Sequence, residues 1–272
     1  NRIYLLCLII LPFAFSCKKR NAETDSNYSI QISKVRNGYL AARAELFASN
    51  KSVMLTYYSK TNAFYSVNNQ ANFNVLRTNY LAARNAFMLC GPYLYGSNSI
   101  NLAGAEAYGR LDAYPINMEY LDYTNTNSNA GIINDAVNYP VINEYGIKTW
   151  DKVGGQTNSS CGMHVIEFLL WGQDLASGSP GNRQVSDFTN TRRRQYLLYA
   201  TSLLKNDMVL ISDQGSFAND LKAADPKVAF EFMMAGYLKF IKDDFAVNGI
   251  KKPLDSQSDA DEISRFSDQT KQ

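Results

Sequence analysis

His164 and Glu167 are the two side chains whose type and spacing most directly suggest chemistry. They are the only titratable residues of an apolar stretch from Met163 to Trp171, and His164 is the only histidine in the chain. Three residues apart on a helix, they share one face, with Cβ atoms roughly 5–6 Å apart. Because an ionised carboxylate is costly to bury without a partner or a cation, the pair is a candidate metal or catalytic site. The alternative is a core histidine satisfied by one hydrogen bond, with Glu167 as its local partner.

The residues around this pair weigh against a zinc peptidase. Such an enzyme needs about three protein ligands, an open position for water and a general base. The usual H-E-x-x-H arrangement is absent, since Val165 and Ile166 separate the pair and no second histidine exists. No G-x-S-x-G nucleophile motif occurs either. Metal binding asks for less, because one imidazole with several carboxylates suits iron or another borderline cation, so the sequence favours binding over catalysis.

Further metal ligands could come from an irregular segment, residues 95–160. It is rich in Gly and Asn and contains two Tyr-Pro pairs, which disfavour helix at the residue before each proline. Irregular segments of this kind often carry function. Any one of its acidic residues is more readily interpreted as solvated surface. They are Glu106, Asp112, Glu119, Asp122, Glu144 and Asp151.

The start of the chain has the layout of a secretory signal. A positive residue precedes an apolar run over residues 3–15, which is too short to span a bilayer comfortably. Ala14-Phe15-Ser16-Cys17 resembles a lipobox, in which the cysteine is acylated and becomes the mature N-terminus. The alternative is a plain signal peptide with an incidental cysteine. We predict a signal peptide at residues 1–16, a polar tether at 17–28 and a lipid-anchored envelope protein, periplasmic or at the outer membrane.

Beyond this signal and lipobox segment, Cys90 and Cys161 are the remaining cysteines. Outside the cytoplasm they could form a disulfide, which the sequence leaves open. Cys161 stands three residues before His164, so a Cys–His–Glu ligand face is an alternative. We favour burial of Cys161 as a small hydrophobe.

The elements that must position these residues are predicted to be helices. Apolar residues recur at three- and four-residue spacing in the segments 29–49, 54–64, 72–89, 189–211 and 225–245. No strand pattern stands out, so the predicted fold is all-α, an up-and-down helical bundle over residues 29–248. Within the irregular segment we predict shorter helices around residues 102–108, 116–122, 132–138 and 143–150. Residues 157–160 are predicted to cap the helix that carries His164.

Arginines and overall charge add two interpretations. Tyr-Leu-Ala-Ala-Arg occurs at 39–43 and 80–84. We interpret it as two bundle helices with the same pattern and an outward arginine, rather than as a repeat. The arginines at 192–194 are interpreted as a solvated face, although positive charge at a helix N-terminus favours a negative group opposite. The formal net charge of +2 is too balanced to indicate a nucleic-acid partner.

Three segments resemble the imelysin family of bacterial envelope proteins: Gly162 to Asp174, Arg110 to Pro115, and Ser264 to Ser267. The resemblance covers residues 29–272. It implies an α-helical protein with two bundle-like halves and a site near their junction that involves the motif histidine and glutamate. It also implies an envelope protein, often lipid-anchored and tied to iron supply, and the family carries a metallopeptidase label. We expect residues 249–272 to be a linker and the start of a truncated second half.

Together these observations predict an envelope lipoprotein that binds a divalent metal ion, iron or zinc, and acts in iron acquisition with an envelope transport partner. His164 and Glu167 are the predicted metal ligands. Asp174 and Arg265 are predicted to orient them or to organise the site across the junction. Cys17 is predicted to carry the lipid. The alternatives are a metallopeptidase of the imelysin type, with His164 and Glu167 as its catalytic pair, and a non-catalytic envelope adaptor.

Overall fold

Two long antiparallel helices dominate the fold. The computed structural model describes residues 22–95, 100, 102–173, 175, 181–212 and 214–251. Helix α1 spans Ala22–Ser66 and α2 spans Gln70–Leu89, and the Asn69 side chain caps α2 by accepting a hydrogen bond from the Asn72 amide. Within the described ranges the chain is helical and forms no β-strand. The all-α prediction is therefore confirmed.

Helix α1 is one continuous helix where the sequence analysis predicts two. Residues 50–53, between the two predicted helices, contain no glycine or proline, so nothing there interrupts the backbone hydrogen bonds. Asn50 and Met54 are both buried, which keeps this turn packed against the bundle. Because α1 begins at Ala22, residues 22–28 of the predicted polar tether are helical, and their role as a tether stays a prediction.

Short helices joined by turns make up the irregular segment after α2. They are α3 (Leu102–Leu111), α4 (Met118–Leu121) and α5 (Glu144–Trp150), followed by α6 (Met163–Trp171). The helices predicted near α3, α4 and α5 are confirmed with shifted bounds. The helix predicted at 132–138 is wrong. This stretch forms turns, and the amides of Ile132 and Ile133 donate to the carbonyls of Tyr120 and Leu121 in α4.

The C-terminal helices close the bundle against α1. They are α7 (Thr191–Ile211), α8 (Gln214–Ala223) and α9 (Pro226–Lys239), which continues as a π-helix (Phe240–Lys251). All three α-helices contact α1. The sequence analysis does not predict α8, which buries Phe217 and Leu221. The last helix extends to Lys251, so the linker predicted from residue 249 is helical over its first three residues.

A buried ion cluster ties the irregular segment to α7. The two carboxylate oxygens of Asp122 accept hydrogen bonds from Arg193 at 2.6 and 2.8 Å, and Oδ2 accepts a third from Arg183 at 2.9 Å. All three side chains are buried. The prediction of a solvated arginine face is therefore wrong for Arg193, and the interpretation of Asp122 as solvated surface is also wrong. Asp122 is the negative group expected opposite this helix terminus.

The structure separates the two remaining cysteines. Cys90 and Cys161 are buried free thiols, so the disulfide that the sequence leaves open does not form. The Cys161 thiol lies against Asp151 rather than against His164, and burial together with that carboxylate raises its pKa. Burial as a small hydrophobe, with no Cys–His–Glu ligand face, describes Cys161 in the fold.

Several predictions concern residues outside the described ranges. The signal peptide, Cys17, Asp174 and Arg265 lie there, so their predicted roles stay predictions. Among the helices that the structure does describe, none is both long enough and apolar enough to cross a membrane.

Candidate functional site

Helix α6 is the buried centre of the candidate site. Each of its nine residues, Met163 to Trp171, is buried, as the apolar sequence predicts. Gly172 follows it at the C-cap position with a φ of 76°, and its amide donates to the Phe168 carbonyl. The predicted capping by residues 157–160 is wrong. Gly162 occupies the N-cap position, and Ser160 instead donates its hydroxyl to the Ile147 carbonyl.

Gly162 brings the start of α6 against the end of α3. Its φ is 103°, in the region that favours glycine. A Cβ at this position would lie 2.2 Å from the Arg110 carbonyl oxygen. Only a residue without a side chain permits this approach. The contact places α6 beside the chain that leaves α3, and Asp112 belongs to that chain.

His164 lies between two carboxylates. Its Nε2 is 3.3 Å from Asp112 Oδ1, and its Nδ1 is 3.5 Å from Glu167 Oε2. Glu167 is fully buried, whereas the Asp112 side chain is 17% exposed. The structure therefore brings the predicted pair together and adds Asp112, one of six acidic residues that the sequence offered. The interpretation of Asp112 as solvated surface is wrong.

Arg84 on α2 completes this cluster and was missed by the sequence analysis. Its guanidinium forms an ion pair with Asp112, and its Nη2 lies 3.5 Å from His164 Nε2. The prediction of outward arginines in the two Tyr-Leu-Ala-Ala-Arg segments is wrong, since Arg43 and Arg84 are both buried. The sequence did contain a sign of this burial. Each arginine follows apolar and small residues, and a helix face of that composition packs against the bundle.

The charges of this cluster set the protonation of its members. Burial alone would raise the pKa of Asp112, but the neighbouring Arg84 and His164 hold that pKa below its usual range. Burial likewise opposes the charged form of His164. The adjacent carboxylates of Asp112 and Glu167 outweigh this effect, so the pKa of His164 is raised. The cluster thus favours an ionised Asp112 and the doubly protonated, positively charged form of His164.

This raised pKa predicts a pH dependence of stability. A group whose folded-state pKa is raised contributes stability that is complete below its unfolded pKa of about 6.5 and is lost as pH rises through the folded value. We expect the free energy of unfolding in urea, with chelator present, to be lower at pH 8 than at pH 6. The single histidine makes the assignment direct. In His164→Gln this pH difference should disappear, and its persistence there would contradict the account.

A cavity of about 210 Å³ opens beside the cluster. His164 and Asp112 line it, and the Tyr114 ring packs on the imidazole with ring centroids 4.8 Å apart. Glu167 does not line the cavity. Nε2 therefore lies beside a carboxylate that lines the cavity, and Nδ1 lies beside a buried carboxylate that does not. Within the described residues, no group of three or more His, Cys, Asp and Glu side chains is arranged to hold a metal ion.

Comparison with known proteins places this arrangement in a family. The sequence model of the imelysin family, which carries a peptidase label, matches residues 42–272. That match covers most of the chain and includes Arg84, Asp112, His164 and Glu167. No curated protein matches the chain. The extent of the family match, over a helical fold whose motif helix is its buried centre, shows that the chain belongs to the imelysin family.

Proposed function

We propose that the chain is a metal-binding protein of the cell envelope that acts in iron acquisition and holds iron or zinc at His164. The observation that carries the proposal is the two-sided environment of the imidazole. Nε2 lies 3.3 Å from Asp112 Oδ1 on the cavity wall, while the buried Glu167 carboxylate lies behind Nδ1. Ligating histidines are commonly held in this way by a carboxylate on the other ring nitrogen.

The donor set fits a borderline divalent cation. Imidazole nitrogen and carboxylate oxygen are both zinc and iron donors. In a tetrahedral site with bonds of about 2.0–2.1 Å, neighbouring donors stand about 3.3 Å apart. The separation of His164 Nε2 and Asp112 Oδ1 is 3.3 Å, so these atoms can share one ion. The cavity leaves room for water in the other positions.

Arg84 opposes cation binding without preventing it. Its guanidinium pairs with Asp112, so an incoming cation meets a like charge at the site. Asp112 and Glu167 together outweigh that charge when the imidazole is neutral. Metal binding therefore requires His164 to lose its proton, and affinity should rise with pH. The predicted ligand role of Glu167 becomes an orienting one in this proposal, because Glu167 lies beside the other ring nitrogen and does not line the cavity.

The peptidase alternative has less support from the geometry. His164 and Glu167 form a pair that could transfer a proton, and the family carries a peptidase label. The described side chains beside Nε2 are nevertheless Asp112 and Arg84, not a hydroxyl or thiol nucleophile. Chelator-sensitive cleavage of unstructured substrates, lost in Glu167→Ala, would reverse this ranking.

The envelope location rests on the sequence of the first 17 residues. A lipid on Cys17 would hold the protein at a membrane surface, where an envelope transport partner could receive the metal. Mass spectrometry of the mature N-terminus tests the anchor. A diacylglycerol-modified Cys17 supports it, and an unmodified mature N-terminus at another residue contradicts it.

Calorimetric titration with Zn²⁺ and Fe²⁺ tests the ligand assignment. We expect one binding event in the wild type, loss of that event in Asp112→Asn, and an affinity lower by about 10–100-fold in Glu167→Gln, which removes an orienting partner. Asp151→Asn is the control, because its carboxylate accepts a hydrogen bond from the Ser160 amide and does not line the cavity. It should bind as the wild type does.

Two outcomes would contradict this assignment. A wild-type protein that binds neither cation refutes the proposed function. If Glu167→Gln loses binding while Asp112→Asn retains it, the ligands are His164 and Glu167, as the sequence alone predicts.

A further inference from the structure

A second polar cluster lies in the wall of the same cavity. The Tyr108 hydroxyl donates to Asp244 Oδ2 at 3.1 Å, and the Tyr95 hydroxyl donates to the same oxygen. The two hydroxyl oxygens are 3.4 Å apart. Tyr108 and Asp244 line the cavity together with His164. Three oxygens from three segments, the chain after α2, helix α3 and the π-helix, therefore converge on one point.

This cluster carries a negative charge that the described residues do not neutralise. No ion pair to Asp244 forms among them, and both hydroxyls bind Oδ2, so Oδ1 has no donor in that part of the chain. Burial raises the pKa of Asp244. The Lys239 ammonium, at the end of α9, lies over the Tyr95 ring, 4.9 Å from the ring centroid. A half-buried carboxylate of this kind suits a cationic ligand.

We propose that Tyr95, Tyr108 and Asp244 form a site for a ferric ion, bound through two phenolate oxygens and one carboxylate oxygen. In an octahedral site with bonds of about 2.0–2.1 Å, neighbouring oxygens stand about 2.9 Å apart. The three oxygens here are close enough to form one face of such an octahedron. A hard trivalent cation favours anionic oxygen donors over imidazole, and tyrosinate is a known ligand of ferric iron in proteins.

The charges and protons of this step balance. Each phenol exchanges its O–H bond for an O–Fe bond and releases one proton to solvent, and the carboxylate enters ionised. Two phenolates and one carboxylate then match the 3+ charge of the ion. Burial and the Asp244 carboxylate raise the pKa of Tyr95, and burial together with the Asp112 carboxylate raises the pKa of Tyr108, so the ion must displace both phenolic protons.

The cavity accounts for the remaining coordination positions. Its volume of about 210 Å³ has room for several water molecules. That space suits water or a small carboxylate chelator that arrives with the iron. The site takes no ligand from His164 or Asp112, so its ligands differ from those of the divalent site proposed above, although both sites face the same cavity. It would add a ferric step to the same iron-handling role.

Addition of Fe(III)–nitrilotriacetate to the purified protein tests the ferric site. Phenolate-to-iron charge transfer gives a broad visible absorption band, and Raman excitation within this band enhances tyrosinate ring modes. Carboxylate and imidazole ligands produce neither signal. We expect both signals in the wild type and their loss in the double variant Tyr95→Phe/Tyr108→Phe. Asp244→Asn should lower ferric affinity by more than about tenfold. Tyr120→Phe is the control, since its hydroxyl donates to the Trp150 carbonyl and lies outside the cavity lining.

The divalent and ferric sites can fail separately. His164→Ala should keep the visible band while it loses divalent binding. The ferric proposal is overturned if the wild type gives no band, or if the band survives unchanged in a double phenylalanine variant whose circular dichroism shows native helix. A cluster that serves only to fasten the π-helix would lower stability in that variant and give no tyrosinate signal in the wild type.

Discussion

Replacing Asp122 by asparagine is expected to lower the free energy of unfolding by about 3–5 kcal/mol, because removing one partner leaves buried charges uncompensated. Asp122 receives hydrogen bonds from Arg183 and Arg193, and all three side chains are buried. An asparagine keeps the volume and one acceptor oxygen but loses the negative charge. The two guanidinium groups would then repel each other in a site that water does not reach.

Urea denaturation followed by circular dichroism measures this effect. Glu231→Gln is the control, because Glu231 is 62% exposed and pairs only loosely with Lys227, at 3.7 Å. An exposed pair of this kind contributes about 0–1 kcal/mol, so little change is expected. If both variants lose the same small amount of unfolding free energy, the buried cluster does not make the large contribution to stability expected here.

Replacing Gly162 by alanine is the second large effect. The residue has a φ of 103°, and an added Cβ would lie 2.2 Å from the Arg110 carbonyl oxygen. Backbone on both sides must shift, so we expect a loss of about 3 kcal/mol or more in unfolding free energy. The shift would also move His164 away from Asp112. Divalent metal affinity, measured by calorimetry on protein that remains folded, should therefore fall with stability.

Gly109→Ala is a matched control for this substitution. Gly109 lies on α3 near the same contact, is exposed, and has nothing within 4 Å of an added Cβ. Alanine in a helix interior is favoured over glycine by roughly 0.8–1.0 kcal/mol, so this variant should be as stable as the wild type or more stable. A Gly162→Ala protein that matches Gly109→Ala in stability and metal affinity would contradict the positioning role of Gly162.

The helices with a regular apolar face were predictable from the sequence. α2 and α7 follow their predicted segments because a face that repeats every three to four residues must be buried somewhere. α6 was recognisable for a different reason, since a helix apolar on all sides belongs in a bundle interior. Continuity of α1 was not predictable, because its pattern weakens near Asn50 and tertiary packing decides whether such a turn stays helical.

The candidate site was predictable only where its geometry is local. His164 and Glu167 meet because three residues on one helix fix their separation. Asp112 and Arg84 come from other elements, and their approach depends on Gly162 and on how α2 crosses α6. The sequence also could not show which carboxylate faces the cavity, and the structure places Asp112 there rather than Glu167.

The most direct test of the central claim is the zinc content of the untagged protein after equilibrium dialysis against Zn²⁺, measured by elemental analysis. The protein must carry no histidine tag, because a tag would bind zinc and His164 is the only histidine of the chain. We predict one equivalent of zinc in the wild type and none in a folded His164→Ala variant. Equal zinc content and equal affinity in the two proteins would contradict a metal site at His164.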